Sequence, residues 1–257
     1  PEHSAGGLYT VLDTEGYGGM LMSPWFDRPL SIAGRIAYRE GNAIRTALYD
    51  AGRPLVLIPS LAIHMDRKAN EGIALSIQKD MMPLFSEGTG KGSLMRLIEK
   101  ETGITGILGD DLYVYSASEP AIWGADGEFS SAPRIDDLMC AWGAVSALSE
   151  AAEPSYIAMA ALFSSEETGG GSVSGALSDF LPSVMSRLMD SLGTDSEGKA
   201  IAISSSFMLS ADNGHAVHPA HLDKADPESH PPLALYYSYR DSAGLLSEEK
   251  ESYKCYY

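Results

Sequence analysis

The stretch Leu162-Phe163-Ser164-Ser165-Glu166-Glu167-Thr168-Gly169-Gly170-Gly171-Ser172 decides how the second half of this chain is read. An apolar run ends in two adjacent carboxylates, and a glycine-rich turn then opens onto a segment of helical periodicity. Strand, tight turn and helix in that order form the repeating unit of an α/β fold. Side chains alternate along an extended backbone, so Glu166 and Glu167 point to opposite sides. One can then hold a cation while its neighbour handles a proton. The competing reading is a solvated Glu pair in a polar turn.

Outward from this stretch the pattern continues. Residues 155–164 read as a buried strand and residues 172–192 as a long helix carrying Leu177, Phe180, Leu181, Met185 and Leu188. Upstream, Leu112-Tyr113-Val114-Tyr115 reads as a strand, and residues 135–150 as a helix with Leu138, Trp142, Val145 and Leu148 on one face. Downstream, Ile201-Ala202-Ile203 and Phe207-Met208-Leu209 are strand-like. The alternation predicts a mixed sheet flanked by helices.

The first half differs. Short β-type runs at residues 8–12, 19–22 and 32–38, and the proline-bounded Pro54-Leu55-Val56-Leu57-Ile58-Pro59, predict a compact β-rich module. Residues 85–93 read as a polar, Gly-rich loop and residues 93–102 as a short helix. The expected boundary lies near residue 112, giving domains 1–112 and 113–257.

Length and composition narrow the function. The chain has 257 residues, 44% hydrophobic and 21% charged, as in an ordinary globular protein. Its apolar runs are too short to span a bilayer. Pro1-Glu2-His3-Ser4 carries no initiator Met and no signal core, and reads as the interior of a longer chain. With Cys140 and Cys255 alone there is no disulfide framework, which predicts a cytoplasmic protein. The net charge of −17 argues against nucleic acid and anionic membranes as partners. The acid is unevenly spread: residues 1–113 hold 11 Lys and Arg against 14 Asp and Glu, residues 114–257 hold 7 against 21. An acidic half suits cation binding, although solubility alone accounts for it nearly as well.

Two motifs fail on inspection. Gly88-Thr89-Gly90-Lys91-Gly92-Ser93 lacks the hydroxyl residue after the Lys and the distal Gly of a phosphate loop. Gly171-Ser172-Val173-Ser174-Gly175 has Val173 where a nucleophile elbow needs its nucleophile. Three acidic positions fare better. Asp136 and Asp137 stand where Pro133-Arg134-Ile135 enters a helix, a place where Asp is commonly only a cap. Glu166 and Glu167 are the central pair. Asp212 follows Phe207-Met208-Leu209, at the kind of strand end where open α/β sheets place ligands. Carboxylates gathered from such ends are tolerable only around cations. Two metals bridged by one carboxylate suit hydrolysis, one activating water and the other polarising a carbonyl. His215, His218 and His221 follow Asp212 at three-residue intervals, and His64 stands alone after an apolar run. Taken singly, each His reads as structural.

Six strings together resemble the M18 family of metallo-aminopeptidases, the aspartyl aminopeptidases. They are Tyr17-Gly18-Gly19; Trp25-Phe26-Asp27-Arg28-Pro29-Leu30-Ser31-Ile32-Ala33-Gly34-Arg35; Ile58-Pro59-Ser60-Leu61-Ala62-Ile63-His64; Pro133-Arg134-Ile135-Asp136-Asp137-Leu138; Phe163-Ser164-Ser165-Glu166-Glu167-Thr168-Gly169; and Ser210-Ala211-Asp212-Asn213-Gly214-His215-Ala216-Val217-His218-Pro219. They occur in the family's order over residues 8–232. The resemblance implies an α/β catalytic domain of the zinc-peptidase type, interrupted by a β-rich oligomerisation domain. It also implies Asp136 as a carboxylate bridging two divalent metals, Glu167 and Asp212 as ligands of one metal each, and Glu166 as the general base. His64 would reach a neighbouring subunit's active site, and His215 would contact substrate. The implied metals are zinc, with manganese or cobalt as alternatives. The implied reaction removes an N-terminal Asp or Glu from a peptide substrate, within a homo-oligomer that is a dodecamer in the family.

The departures are as specific as the matches. The family's upstream His-x-Asp-Ser-Pro string, its last metal His and a nearby Lys have no counterpart here, and likeness ends after Pro232. Asp137 stands where the family usually has Asn, and Ser164-Ser165 where it has Asp-Asn. Each metal would lose a His, although zinc normally takes at least three protein ligands. The sequence therefore predicts either an incomplete metallo-aminopeptidase or a truncated or degenerate homologue that keeps only the oligomerisation role.

Overall fold

The computed structural model describes residues 1–88, 90, 92–152, 155–166, 169–214 and 216–224, and the backbone of Tyr237–Arg240. The chain divides into two compact units, Pro1–Glu119 and Pro120–Tyr257.

The elements of the first unit are β1 (Glu2–Ala5), β2 (Tyr9–Leu12), β3 (Leu30–Glu40), β4 (Ala43–Asp50), the single turn α1 (Ile77–Asp80), β5 (Leu84–Glu87), α2 (Ser93–Thr102) and β6 (Ile107–Ser116). They form two antiparallel three-stranded sheets, ordered β1-β2-β5 and β4-β3-β6. The β3–β4 hairpin closes at the Glu40–Ala43 pair over a two-residue turn, where Gly41 takes φ 60°, the left-handed conformation such a turn demands. Gly34 is needed for a different reason. A Cβ there would lie 2.1 Å from the carbonyl oxygen of Asp111 on β6. Leu12, Leu30, Ile32, Ile36, Tyr49, Val56, Ile58, Met81, Leu94 and Ile98 make one core from both sheets and α2.

The β-rich reading of this half holds, with local differences. Val56–Ile58 forms isolated bridges, to Leu30, Leu84 and Phe26, in place of a strand. Pro54 and Pro59 lack the N–H groups that would extend the ladder. Residues 19–22 form no strand. The expected loop at 85–93 begins as β5, because its backbone pairs with β2 from Tyr9–Glu87 to Val11–Leu84 whatever its side-chain polarity. The expected boundary at 112 falls inside β6, which stays paired with β3 as far as Ser116 and carries the division to residue 119.

At the start of α2, the failed phosphate loop turns out to be filled from within. The Glu2 carboxylate accepts from the N–H groups of Ser93 (2.9 Å) and Leu94 (2.6 Å) and from the Ser93 hydroxyl (2.8 Å). The two N–H groups belong to the first turn of the helix, which has no intrahelical carbonyl to offer them.

The second unit contains β7 (Ala121–Trp123), β8 (Phe129–Ser131), α3 (Ile135–Glu150), α4 (Phe180–Ser191), α5 (Ser196–Ser204), β9 (Ser210–Asn213) and β10 (Tyr237–Arg240). Helix and strand mix along the chain, and the fold is α/β. Among the described residues its sheets are two antiparallel pairs, β7 with β8 and β9 with β10. The predicted strand at 155–164 does not form, and Tyr156, Ile157 and Leu162 are exposed. A strand exists only through a neighbour's ladder, and no described strand lies beside it. The predicted helix at 172–192 shortens to α4. Before it, Ser172, Gly175 and Ser178 N–H groups each bond three residues back, a chain of turns suited to Ser and Gly. Ile201–Ile203 lies in α5, not a strand, because the Asp195 carboxylate caps Gly198 N at 2.8 Å and starts a helix. Residues 207–209 lie before β9. α3 has its predicted limits, but its expected core face of Leu138, Trp142, Val145 and Leu148 is exposed. Its buried residue is Cys140, whose thiol meets Asn213 of β9. No helix among the described residues is long and apolar enough to cross a membrane.

Candidate metal centre

Three carboxylates converge where α3 begins and β9 ends. Asp136, Asp137 and Asp212 each offer an oxygen, and these oxygens all lie within 4.8 Å of one another. Local backbone geometry gathers them. Arg134 takes the left-handed φ of 62°, and both aspartates have non-helical dihedrals within the span of α3. The two carboxylates therefore leave the chain before the regular helix begins. From β9, the N–H of Asn213 donates to Asp212 Oδ1 at 2.7 Å. Its side-chain Nδ2 donates to the Ile135 carbonyl at 3.1 Å and to Asp136 Oδ1 at 3.3 Å.

The charges oppose one another. Two full charges at this separation repel by about 3–4 kcal/mol at an effective dielectric near 20. The Asp137 carboxyl accordingly titrates above the usual Asp range. Partial burial is the main cause and the Asp212 and Asp136 charges add to it, while a hydrogen bond from Cys140 works the other way. A cation relieves the same repulsion. Oxygens at about 2.0–2.6 Å from one divalent ion lie up to roughly 5 Å apart, which matches the observed spread, so the three side chains fit such an ion.

The structure thus brings together Asp136 and Asp212, two of the residues picked from the sequence, and adds Asp137, which the sequence reading left at a helix entrance. Adjacency to Asp136 was the available signal. Glu167 and His215 lie outside the described residues. Glu166 is exposed in the turn after the 155–164 segment, its carbonyl accepting from Gly169 N at 3.4 Å, and Ser165 before it takes φ 61°. Non-glycine residues with left-handed φ thus adjoin both acidic stretches, at Arg134 and Ser165, the kind of costly backbone that clusters at functional sites. His64 belongs to the first unit, exposed in a turn closed by Met65 N donating to Ala62 O at 2.8 Å. His218 and His221 pack with ring centroids 4.9 Å apart.

Three carboxylates drawn from a helix start and a strand end, in a unit that mixes helix and sheet, form a group that could hold a divalent cation. Residues 2–235 match the aminopeptidase I zinc metalloprotease family, M18, and the chain belongs to that family. It is 39% identical over 239 residues to the "Probable M18 family aminopeptidase 2" of Clostridium acetobutylicum, covering 90% of this chain and 55% of that protein. It is 38% identical over 240 residues to the protein of the same name from Streptomyces coelicolor, with the same coverage. Among solved structures, the cryo-EM structure of the Ape4 and Nbr1 complex superposes with a TM-score of 0.80 at 30% identity, over 90% of this chain and 49% of that one. The chain spans about half the length of the curated relatives it matches.

Proposed function

We propose that this chain carries the centre of a metal-dependent aminopeptidase that removes N-terminal residues, preferentially Asp or Glu, from peptides. The observation that carries the reading is the convergence of Asp136, Asp137 and Asp212 within 4.8 Å, in a chain of the M18 family. Asp136 and Asp212, with Glu167, would hold a pair of divalent cations. Zinc is the family's metal, and manganese or cobalt would serve the same oxygens. Bound there, such an ion supplies Lewis acidity, polarising a carbonyl and making water more acidic. Glu166 takes a proton from the attacking water and passes it to the leaving amine, a transfer worth typically 10²- to 10⁴-fold in rate. His215 contacts the substrate. His64 would reach the active site of a neighbouring subunit, and we assign the first unit, which carries it, to assembly of a homo-oligomer in the cytoplasm. An acidic substrate must be drawn in by local basic groups against the net negative field of residues 114–257.

The second reading, a truncated or degenerate non-catalytic homologue that keeps only the oligomerisation role, is favoured by Asp137 and Ser164-Ser165, which depart from the strings the family resemblance implies. One experiment separates the two. The full chain is loaded with Zn²⁺ or Mn²⁺ and assayed on Asp- and Glu-p-nitroanilides beside Glu166→Gln. Metal-dependent hydrolysis, lowered at least about 100-fold by Glu166→Gln, is expected. Metal-loaded protein with no rate, or a rate that Glu166→Gln leaves unchanged, overturns the proposal.

A further inference from the structure

Asn213 ends β9, is 7% exposed, and touches both sides of the acidic centre. Its side-chain orientation is fixed by chemistry. Nδ2 faces the Ile135 carbonyl and Asp136 Oδ1, which can only accept, and Oδ1 faces the Cys140 thiol at 3.4 Å. Turning the amide over would set oxygen against two oxygens. Its backbone N–H meanwhile holds Asp212 Oδ1. One residue therefore reaches the carboxylate of α3 through its side chain and the carboxylate of β9 through its main chain. Cys140, 3% exposed one helical turn into α3, shares its single S–H between the amide oxygen and the Asp137 carboxyl.

We infer that Asn213 is a positioning residue of the metal centre, which with Cys140 behind it holds Asp136 and Asp212 in the arrangement a divalent cation requires. The inference rests on the metallopeptidase reading of the site. A carboxylate already held by a buried donor loses less rotational freedom when it takes an ion. Hydrogen-bond partners one step removed from a metal typically govern 10- to 100-fold in its affinity. The side-chain job needs a donor toward Asp136 and an acceptor toward Cys140. Asp would replace the donor by a fourth negative charge, and Leu has the shape without the hydrogen bonds.

The test uses the full chain, with Zn²⁺ binding measured by calorimetry and Co²⁺ as a spectroscopic probe of ligand geometry. Asn213→Leu should weaken Zn²⁺ by about 10- to 100-fold and alter the visible Co²⁺ bands. Far-UV circular dichroism should stay unchanged. Cys140→Ser, which keeps a donor, should bind close to wild type, and Cys140→Ala several-fold more weakly. If Asp136→Asn abolishes binding while Asn213→Leu binds as wild type with unchanged Co²⁺ bands, Asn213 is only a packing residue and the inference fails. If Asn213→Leu does not fold, the Cys140 pair decides: equal affinities for Ser and Ala overturn it. A wild-type chain that takes up no metal, or an Asp136→Asn chain that binds normally, defeats the metallopeptidase reading itself and this inference with it.

Discussion

The carboxylate of Glu2 lies 2.6 Å from the backbone N–H of Leu94, joining the first strand of the chain to a helix that starts ninety-one residues later. Three charge-assisted bonds converge on this one side chain, each stronger than its neutral counterpart. Glu2→Ala should destabilise the first unit by about 1–2 kcal/mol, and Glu2→Gln by less, since one carbonyl oxygen remains to accept. Urea denaturation of the three proteins checks this. Equal midpoints would show that the contact contributes nothing.

Asp137 sits under the repulsion of two neighbours and in partial burial. Asp137→Asn removes one charge and keeps the size of the side chain. Metal-free protein should melt about 2–4 °C higher, the equivalent of roughly 1 kcal/mol for a chain of this size. The rise in melting temperature on adding Zn²⁺ or Mn²⁺ should shrink, because binding stabilises in proportion to affinity. Differential scanning fluorimetry with and without metal reads both effects. A variant that melts lower in both conditions contradicts the electrostatic account.

The hydroxyl of Tyr49 donates to Glu101 at 2.7 Å, and Arg53 pairs with the same carboxylate. Burial first, then the hydrogen bond and charge of Glu101, hold the Tyr49 proton above the ordinary tyrosine range, with Arg53 partly opposing. The folded state keeps this proton at a pH where the unfolded chain loses it. The stabilisation is complete below about pH 10 and declines as pH rises beyond it. Wild type should lose stability from about pH 10 to 11 more steeply than Tyr49→Phe, which should be about 1 kcal/mol less stable at pH 8. Parallel slopes in urea titrations at the two pH values would refute the linkage.

Ser31 is fully buried in β3, and its hydroxyl has no hydrogen-bond partner among the described residues. An unsatisfied buried hydroxyl costs about 1–3 kcal/mol. Ser31→Ala should therefore stabilise the protein by on the order of 1 kcal/mol, seen as a higher denaturant midpoint at constant m-value. A lower midpoint would mean that the oxygen is satisfied after all.

What the sequence made legible follows the range of the forces involved. α2 was readable to the residue, because Leu94 and Ile98 repeat at helical spacing between Gly92 and Gly103, both in left-handed conformations that close the helix ends. Asp136 and Asp212 were readable as members of ordered strings. Glu2 as a cap was not, since its partners lie far along the chain and only the folded sheet brings them near. Ile201–Ile203 misled because β-branched content suggests a strand, while one Asp195 bond decides for helix. The 155–164 run has the composition of a buried strand, but composition cannot supply the neighbour that would pair with it. Asp137 was visible as a residue and hidden as a member of the centre, because its direction is set by backbone dihedrals at Arg134 and Asp136.

The bond from Asn213 to Asp136 spans 77 positions. Closing a flexible loop of that length costs about 4 kcal/mol in chain entropy, against the roughly 1 kcal/mol such a bond returns. The clasp cannot draw its own ends together. It forms when the intervening chain has already brought β9 to the start of α3, so the acidic centre reports closure of the loop and does not cause it. Any lesion between residues 150 and 210 that loosens the loop will be felt at the carboxylates, however far its own side chain lies from them.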